Sequence, residues 1–192
     1  SPGAYVNSTV KPTSVDTANP QVTGDGYMWK FMYSVVASDV IKFVTNDFIP
    51  VKTLGAKSAV AGSGTNGGFG STADDDGSAQ WDVENAAVDG AIYHYVVTAA
   101  GSGYTLDSGT TVDVAVEGDG SGAVATLTFS GGALSSVAFK DTSSYGSGYK
   151  RASFPTIDSS ISGISGGSGA TIKAVISPIN GHGADPIEEL GG

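Results

Sequence analysis

Between Tyr27 and Ser34, large and polar positions alternate. Tyr27, Trp29, Phe31 and Tyr33 fall on one side, and Met28, Lys30, Met32 and Ser34 on the other. A period of two predicts a strand with one aromatic face. Ala37-Ser38-Asp39 interrupts it, and Ser38 is placed to cap a helical turn through Val40 to Phe43. Asp47 to Val51 reads as a short strand or edge segment, because Pro50 cannot donate to a ladder. Ala91 to Val97 predicts another strand. Val112, Val114 and Val116 alternate on one face of the next, and Val124 to Phe129 supplies its partner. Gly131-Gly132 then turns the chain into Leu134 to Phe139, a hairpin signature. Ala170 to Ile176 is the last predicted strand.

A repeat overlies this pattern. Gly-Ser-Gly-Tyr occurs at Gly101–Tyr104 and again at Gly146–Tyr149. Gly-Ser-Gly-Ala follows each, at Gly120–Ala123 and Gly167–Ala170, giving offsets of 45 and 47 residues. A period of that size marks a repeated structural unit. Each Gly-Ser-Gly is expected to turn through positive φ without a Cβ clash, with Tyr104 or Tyr149 laid over the turn to cap the sheet end. One unit offers too few strands to bury a face, whereas two can share a core. The expectation is an all-β, mainly β chain: a β-sandwich or prism-like domain with an internal duplication, long Gly-rich loops and little helix. Its divisions are 1–54, an arm and aromatic strand segment; 55–90, a Gly/Asp-rich loop or linker; 91–180, the duplicated β module; and 181–192, a C-terminal tail. The beginning and end of the sequence read as those of a domain cut from a longer polypeptide.

Composition supports many short strands with tight turns. The 192 residues include 29 Gly, about twice the usual share. Formal net charge is -10, which argues against nucleic acid and against an anionic membrane surface, since both need clustered Lys and Arg. No apolar run approaches the roughly 20 residues of a helical span. With 0 Cys, disulfide scaffolds and cysteine-based zinc sites are excluded.

Candidate chemistry is sparse. Asp74, Asp75, Asp76 and Asp82 could hold calcium in a flexible loop, but their spacing is not that of an EF-hand, and a solvated loop is the simpler reading. His94 faces away from Tyr93 and Tyr95 on its strand, and His182 lies on a glycine turn; no third ligand at helical spacing joins them. No nucleophile elbow or phosphate loop is present. The expectation is no enzyme, no cofactor, and no metal. The aromatic stripe Tyr27, Trp29, Phe31, Tyr33 reads as core or interface. An alternative is a carbohydrate-binding or adhesion β module, contacting glycan through Tyr104 and Tyr149. A calcium-stabilised surface or secreted repeat protein is a third class, disfavoured by the acidic spacing.

Gly24-Asp25-Gly26-Tyr27-Met28-Trp29, continuing through Ser38-Asp39-Val40 to Thr45-Asn46-Asp47-Phe48-Ile49-Pro50-Val51, resembles the baseplate wedge subunit called gene product eight in contractile-tailed phages. That family carries a Gly-Asp-Gly-Tyr-x-Trp strand, an Asp-Val turn and a Thr-Asn-acidic-aromatic strand. The resemblance spans roughly residues 20 to 54, about a sixth of the chain. The glycine-rich duplication and the ending Gly181–Pro186 resemble structural proteins of cyanophage-type myoviruses. The resemblance implies a structural protein of the virion, assembled in the host cytoplasm. Its expected partners are other baseplate or tail proteins and a second copy in a homodimer. It carries no catalytic residues to transfer, and leaves the repeat as an inserted module.

Overall fold

The computed structural model describes residues 7–35, 37–51 and 78–191. The chain divides into two units, one formed by Ser1–Ala87 with His182–Gly192 and the other by Val88–Gly181. The described residues form a mainly β structure with little helix, in several separate sheets joined by long-range pairings.

In the first unit, β1 (Gln21–Val22) and β2 (Met28–Trp29) make a two-residue antiparallel ladder with Gln21 opposite Trp29. The strand expected through Tyr27–Ser34 is therefore corrected to Met28–Trp29. Alternation supplies two faces but no partner, and residues 30–35 lie outside any ladder. The helical turn is a helix, α1 (Ala37–Phe43). The strand expected over Asp47–Val51 is absent. A turn replaces it, with Thr45 N–H donating to Phe48 O at 2.9 Å and Thr45 Oγ1 accepting from Phe48 N–H at 3.1 Å. The stretch expected as linker over 55–90 contains a helix, α2 (Ser78–Ala86), with Val83 fully buried and Gln80 3% exposed. The rest of that stretch up to residue 77, including Asp74, Asp75 and Asp76, lies outside the described residues.

The second unit holds β3 (Ile92–Tyr104), β4 (Thr111–Ala115), β5 (Glu117–Gly118), β6 (Ser121–Ser130), β7 (Ala133–Phe139), β8 (Tyr145–Ser147), β9 (Ala152–Ser153) and β10 (Gly166–Ile176). Strand β6 is central: β4 pairs along one edge of it over Val124–Thr128, β7 along the other over Ala125–Ser130, and β8 with its beginning. Its burial alternates without a break, placing Ala123, Ala125, Leu127 and Phe129 inside. Gly131 and Gly132, at φ 60° and 77°, form the two-residue turn into β7; positive φ at both positions matches the twist of the flanking strands. Val112, Val114 and Val116 are buried, while Asp113 between them faces outward and meets Lys140 at 3.2 Å.

The Gly-Ser-Gly-Tyr segments differ from the expected turns. The first lies inside β3, and the second begins within β8. Each pairs with the other copy's Gly-Ser-Gly-Ala. Ser102 is opposite Ser168 in the β3–β10 ladder, and Ser147 is opposite Ser121 in the β8–β6 ladder. Glycine is required at these crossings. Gly146 has φ 68°, and a Cβ there would lie 2.6 Å from both Ala123 N and Ser121 O. Gly101, at φ 64°, would meet the corresponding Ala170 N and Ser168 O. Positive φ disfavours a Cβ, and a backbone already in its place excludes one. The paired strands therefore approach here with no side chain between their backbones.

The core follows the same exchange. One cluster gathers Tyr104, Ala170, Val112, Leu127, Phe129 and Ile157. The other gathers Tyr149, Ala123, Ala125, Ile92 and Tyr95. Each thus joins the tyrosine of one copy to the alanine of the other. Fully burying one Leu or Phe side chain is worth about 1.5–3 kcal/mol, so these clusters are the main source of cohesion in Val88–Gly181.

α3 (Pro186–Glu189) closes the described chain, capped by Asp185, which accepts from Ile187 and Glu188 N–H. Proline at its first position adds no lost donor.

Candidate functional site

The N-terminal arm is held by side chains rather than by a sheet. Asp25 sits in the turn between β1 and β2, where Gly26 takes φ 84°. Its Oδ2 accepts from Ser8 Oγ at 2.6 Å, Thr9 N at 2.8 Å and Val10 N at 3.1 Å; its Oδ1 accepts from Thr23 Oγ1 at 2.5 Å. The hydrogen bond from Ser8, then that from Thr23, holds this carboxyl well below the usual carboxylate range. Gln21 repeats the device one step along the arm. Its Oε1 accepts from Thr13 N at 2.9 Å and Ser14 N at 3.0 Å. Lys30 Nζ donates to Thr17 O at 2.7 Å and Ala18 O at 2.9 Å. Burial lowers the Lys30 pKa, against the opposing pull of the Asp16 and Glu189 carboxylates.

These bonds hold residues 12–19 beside the aromatic segment, and the two line an open pocket of about 460 Å³. Trp29, Phe31 and Tyr33 line it, with Val15, Ile49 and Leu190 among its apolar neighbours and Asn19, Gln21 and Lys30 among its polar ones. Lys30 and Met32 also face it, although the alternation set them on the opposite side from the aromatics. Without a ladder beyond Trp29, no pleat enforces two faces. Tyr27 stays outside the lining, 38% exposed, with its ring centroid 6.2 Å from that of Trp29. Trp29 is 36% exposed, and Phe31 and Tyr33 are half-buried. Tyr33 donates its hydroxyl to Pro50 O at 2.8 Å, and burial raises its pKa.

Tyr104 and Tyr149 lie elsewhere. Both rings are almost fully buried, at 3% and 2% exposure, which leaves no ring face for a sugar. The Tyr104 ring lies against Gly167 and donates its hydroxyl to Ile157 O at 2.7 Å; the Tyr149 ring lies against Gly120 and donates to Val116 O at 3.2 Å. A Cβ at Gly167 or Gly120 would stand 2.5 Å from ring carbons. Tyr95 is a contrast: its hydroxyl is buried and has no hydrogen-bond partner among the described residues, and burial drives its pKa far up.

Among the described residues, no group of three or more His, Asp or Glu is arranged to hold a metal. Asp82 stands on the exposed side of α2. His94 is half-buried, and burial lowers its pKa. His182 Nδ1 lies 2.6 Å from Glu189 Oε1, whose Oε2 also takes the Gly183 N–H, so the turn that holds it is fastened to α3. The arm clamp at Asp25 and the cavity were not foreseen from the sequence. Gly24-Asp25-Gly26 signals a turn, but not that its carboxylate reaches back to residues 8–10.

Among the described residues, eleven of the fourteen exposed large apolar residues lie in the first unit, and Val88, Val96 and Ile179 lie in the second. The most exposed of the first group include Ile41 at 85% and Phe48 at 73%. Comparison with protein-family models, curated proteins and solved structures gives no match to this chain.

Proposed function

We propose that this chain is a structural assembly protein, in which Val88–Gly181 is a self-supporting β module and the first unit is the part that docks. The observation that carries the reading is the uneven placement of apolar side chains. Monomeric surfaces seldom gather large exposed apolar groups, and where they do a protein contact is the usual reason. Ile41, Phe43, Phe48 and Ile49 follow closely in sequence and are all more than half exposed. They fall within the stretch resembling the phage baseplate wedge subunit, so the assembly in question is a contractile phage tail. Its partners are other baseplate or tail proteins and a second copy of the chain, and the reading assigns the protein no catalytic step.

The β module is, in this reading, an internal duplication whose halves exchange strands about an approximate twofold relation. Support comes from the reciprocal pairing of the Gly-Ser-Gly-Tyr and Gly-Ser-Gly-Ala segments. The test is sedimentation of the purified chain, alone and with baseplate proteins encoded beside it. Association that is lost in Ile41→Ser or Phe48→Ser, with the fold kept, is the expected result. A monomer that binds none of them overturns the reading.

A further inference from the structure

We infer that Val88–Gly181 works as a clasp for the first unit: folded, it pins its own two ends together and so presents His182–Gly192 to α2; unfolded, it lets that segment go. The first unit is discontinuous in sequence, because Ser1–Ala87 is completed by His182–Gly192. The returning segment is packed there. Gly183 is buried against Val83, which is itself fully buried. Pro186 is buried as well, Leu190 lines the pocket beside Trp29, and the Glu189 carboxylate acts on Lys30.

The clasp is built from the ends of the module. Its first and last strands, β3 and β10, are partners from Tyr104–Gly166 down to Ile92–Ile176. The bonds continue past the ladder. Ser177 N–H donates to Ala91 O at 2.9 Å, and Asn180 N–H to Asp89 Oδ1 at 2.9 Å. Gly181 N–H donates to Pro178 O at 2.9 Å, closing a turn in which Asn180 takes φ 67°; asparagine is among the few side chains that accept that conformation. Gly181, at φ 94°, then rests on Val88, where a Cβ would stand 2.6 Å from Val88 O. The chain therefore enters and leaves the module at one point.

The consequence is a matter of loop length. Contact between Val83 and Gly183 closes a loop of about 100 residues when the module is unfolded, but of about 8 across the folded joint. The probability of closure falls as about the 3/2 power of length, so the folded module favours docking of the tail by about 40-fold. Linkage makes the effect reciprocal: the docked tail favours the folded module by up to the same factor. The unit assigned to docking is thus kept whole by the module, whether or not it docks.

The experiment uses the full chain with Val83→Cys, which supplies the single thiol in a sequence with 0 Cys. Its rate of modification by a thiol reagent reads undocking of the tail. Across the urea transition of the module, followed by circular dichroism, that rate should step up about 40-fold. Phe129→Ala should carry both the transition and the step to lower urea. A flexible Gly/Ser linker of 20 residues inserted between Gly181 and His182 lengthens the loop without touching the module, and should raise the rate about 6-fold in the absence of urea. Gly183→Val, whose side chain meets Val83, should raise it too and lower the urea midpoint of the module, although residue 183 lies outside it. A step that stays in place while Phe129→Ala moves the transition overturns the inference. So does a rate indifferent to the linker, which would mean that the tail is held by its own contacts alone. A Gly183→Val chain with unchanged labelling and an unchanged midpoint overturns it as well.

Discussion

Val88–Gly181 leaves Phe129, Leu127, Ile92 and Ile157 at 1% exposure or less, whereas the unit built from the two ends of the chain leaves Ile41 and Phe48 mostly in water. All the buried apolar residues among those described, except Val83 and Pro186, belong to the first of these regions. The regions also differ in how they are held. Val88–Gly181 is held by ladders that bring distant glycines into contact. The arm is fastened by single side chains, Asp25, Gln21 and Lys30, reaching to backbone groups. A ladder repeats its bond at each step and buries a face as it goes. An isolated side-chain clamp fixes a path but covers little apolar surface. The first region thus buries its own apolar faces, whereas the second keeps much of its apolar surface exposed.

The widest separation should come from matched truncations. Phe129→Ala is expected to cost the module about 3–5 kcal/mol, while Phe48→Ala should change stability by less than about 0.5 kcal/mol; denaturant melts of the two variants give both values. Equal losses would erase the contrast. Next is glycine at the crossing of the two repeats. Gly146→Ala should cost about 3 kcal/mol, because both φ and the opposing backbone forbid the Cβ. Gly131→Ala, at φ 60° with nothing within 4 Å, should cost only about 1 kcal/mol.

Within the module the tyrosines sharpen the account. Tyr104→Phe strips a buried donor from Ile157 O and should cost about 1–2 kcal/mol, whereas Tyr95→Phe removes a hydroxyl with no hydrogen-bond partner among the described residues and should be neutral or stabilising by up to about 1 kcal/mol. Thermal melts distinguish the signs. The smallest effect concerns the arm. The Asp25 pKa is depressed on folding, so its contribution is full above the ordinary aspartate pKa of about 3.9. It is lost only as pH falls below that, towards the folded value. The Thr9 and Val10 amide resonances should stay fixed from neutrality down to the ordinary pKa and move beneath it; in Asp25→Asn they should be displaced already at neutral pH.

Much of the module was legible because its signals are local and periodic. The alternation of Val112, Val114 and Val116 and the Gly131-Gly132 turn depend on neighbours in sequence. The repeat was legible as repetition, yet its strands pair across copies, and identical tetrapeptides do not say which one meets which. In the first unit the aromatic alternation misled, since a strand needs a partner and none extends past Trp29. Helix α2 was missed because Ser78–Ala86 follows a glycine-rich run and shows no strong apolar stripe. The cavity arises from bonds between residues 8–19 and 21–30 that leave no periodic mark.

Native-state hydrogen exchange on the isolated full chain tests the central contrast most directly. Backbone amides of Ala125, Leu127 and Phe129 should exchange only through global unfolding, and the described amides of residues 7–51 orders of magnitude faster, through local opening. Equal protection in both regions, with no partner present, would contradict the account.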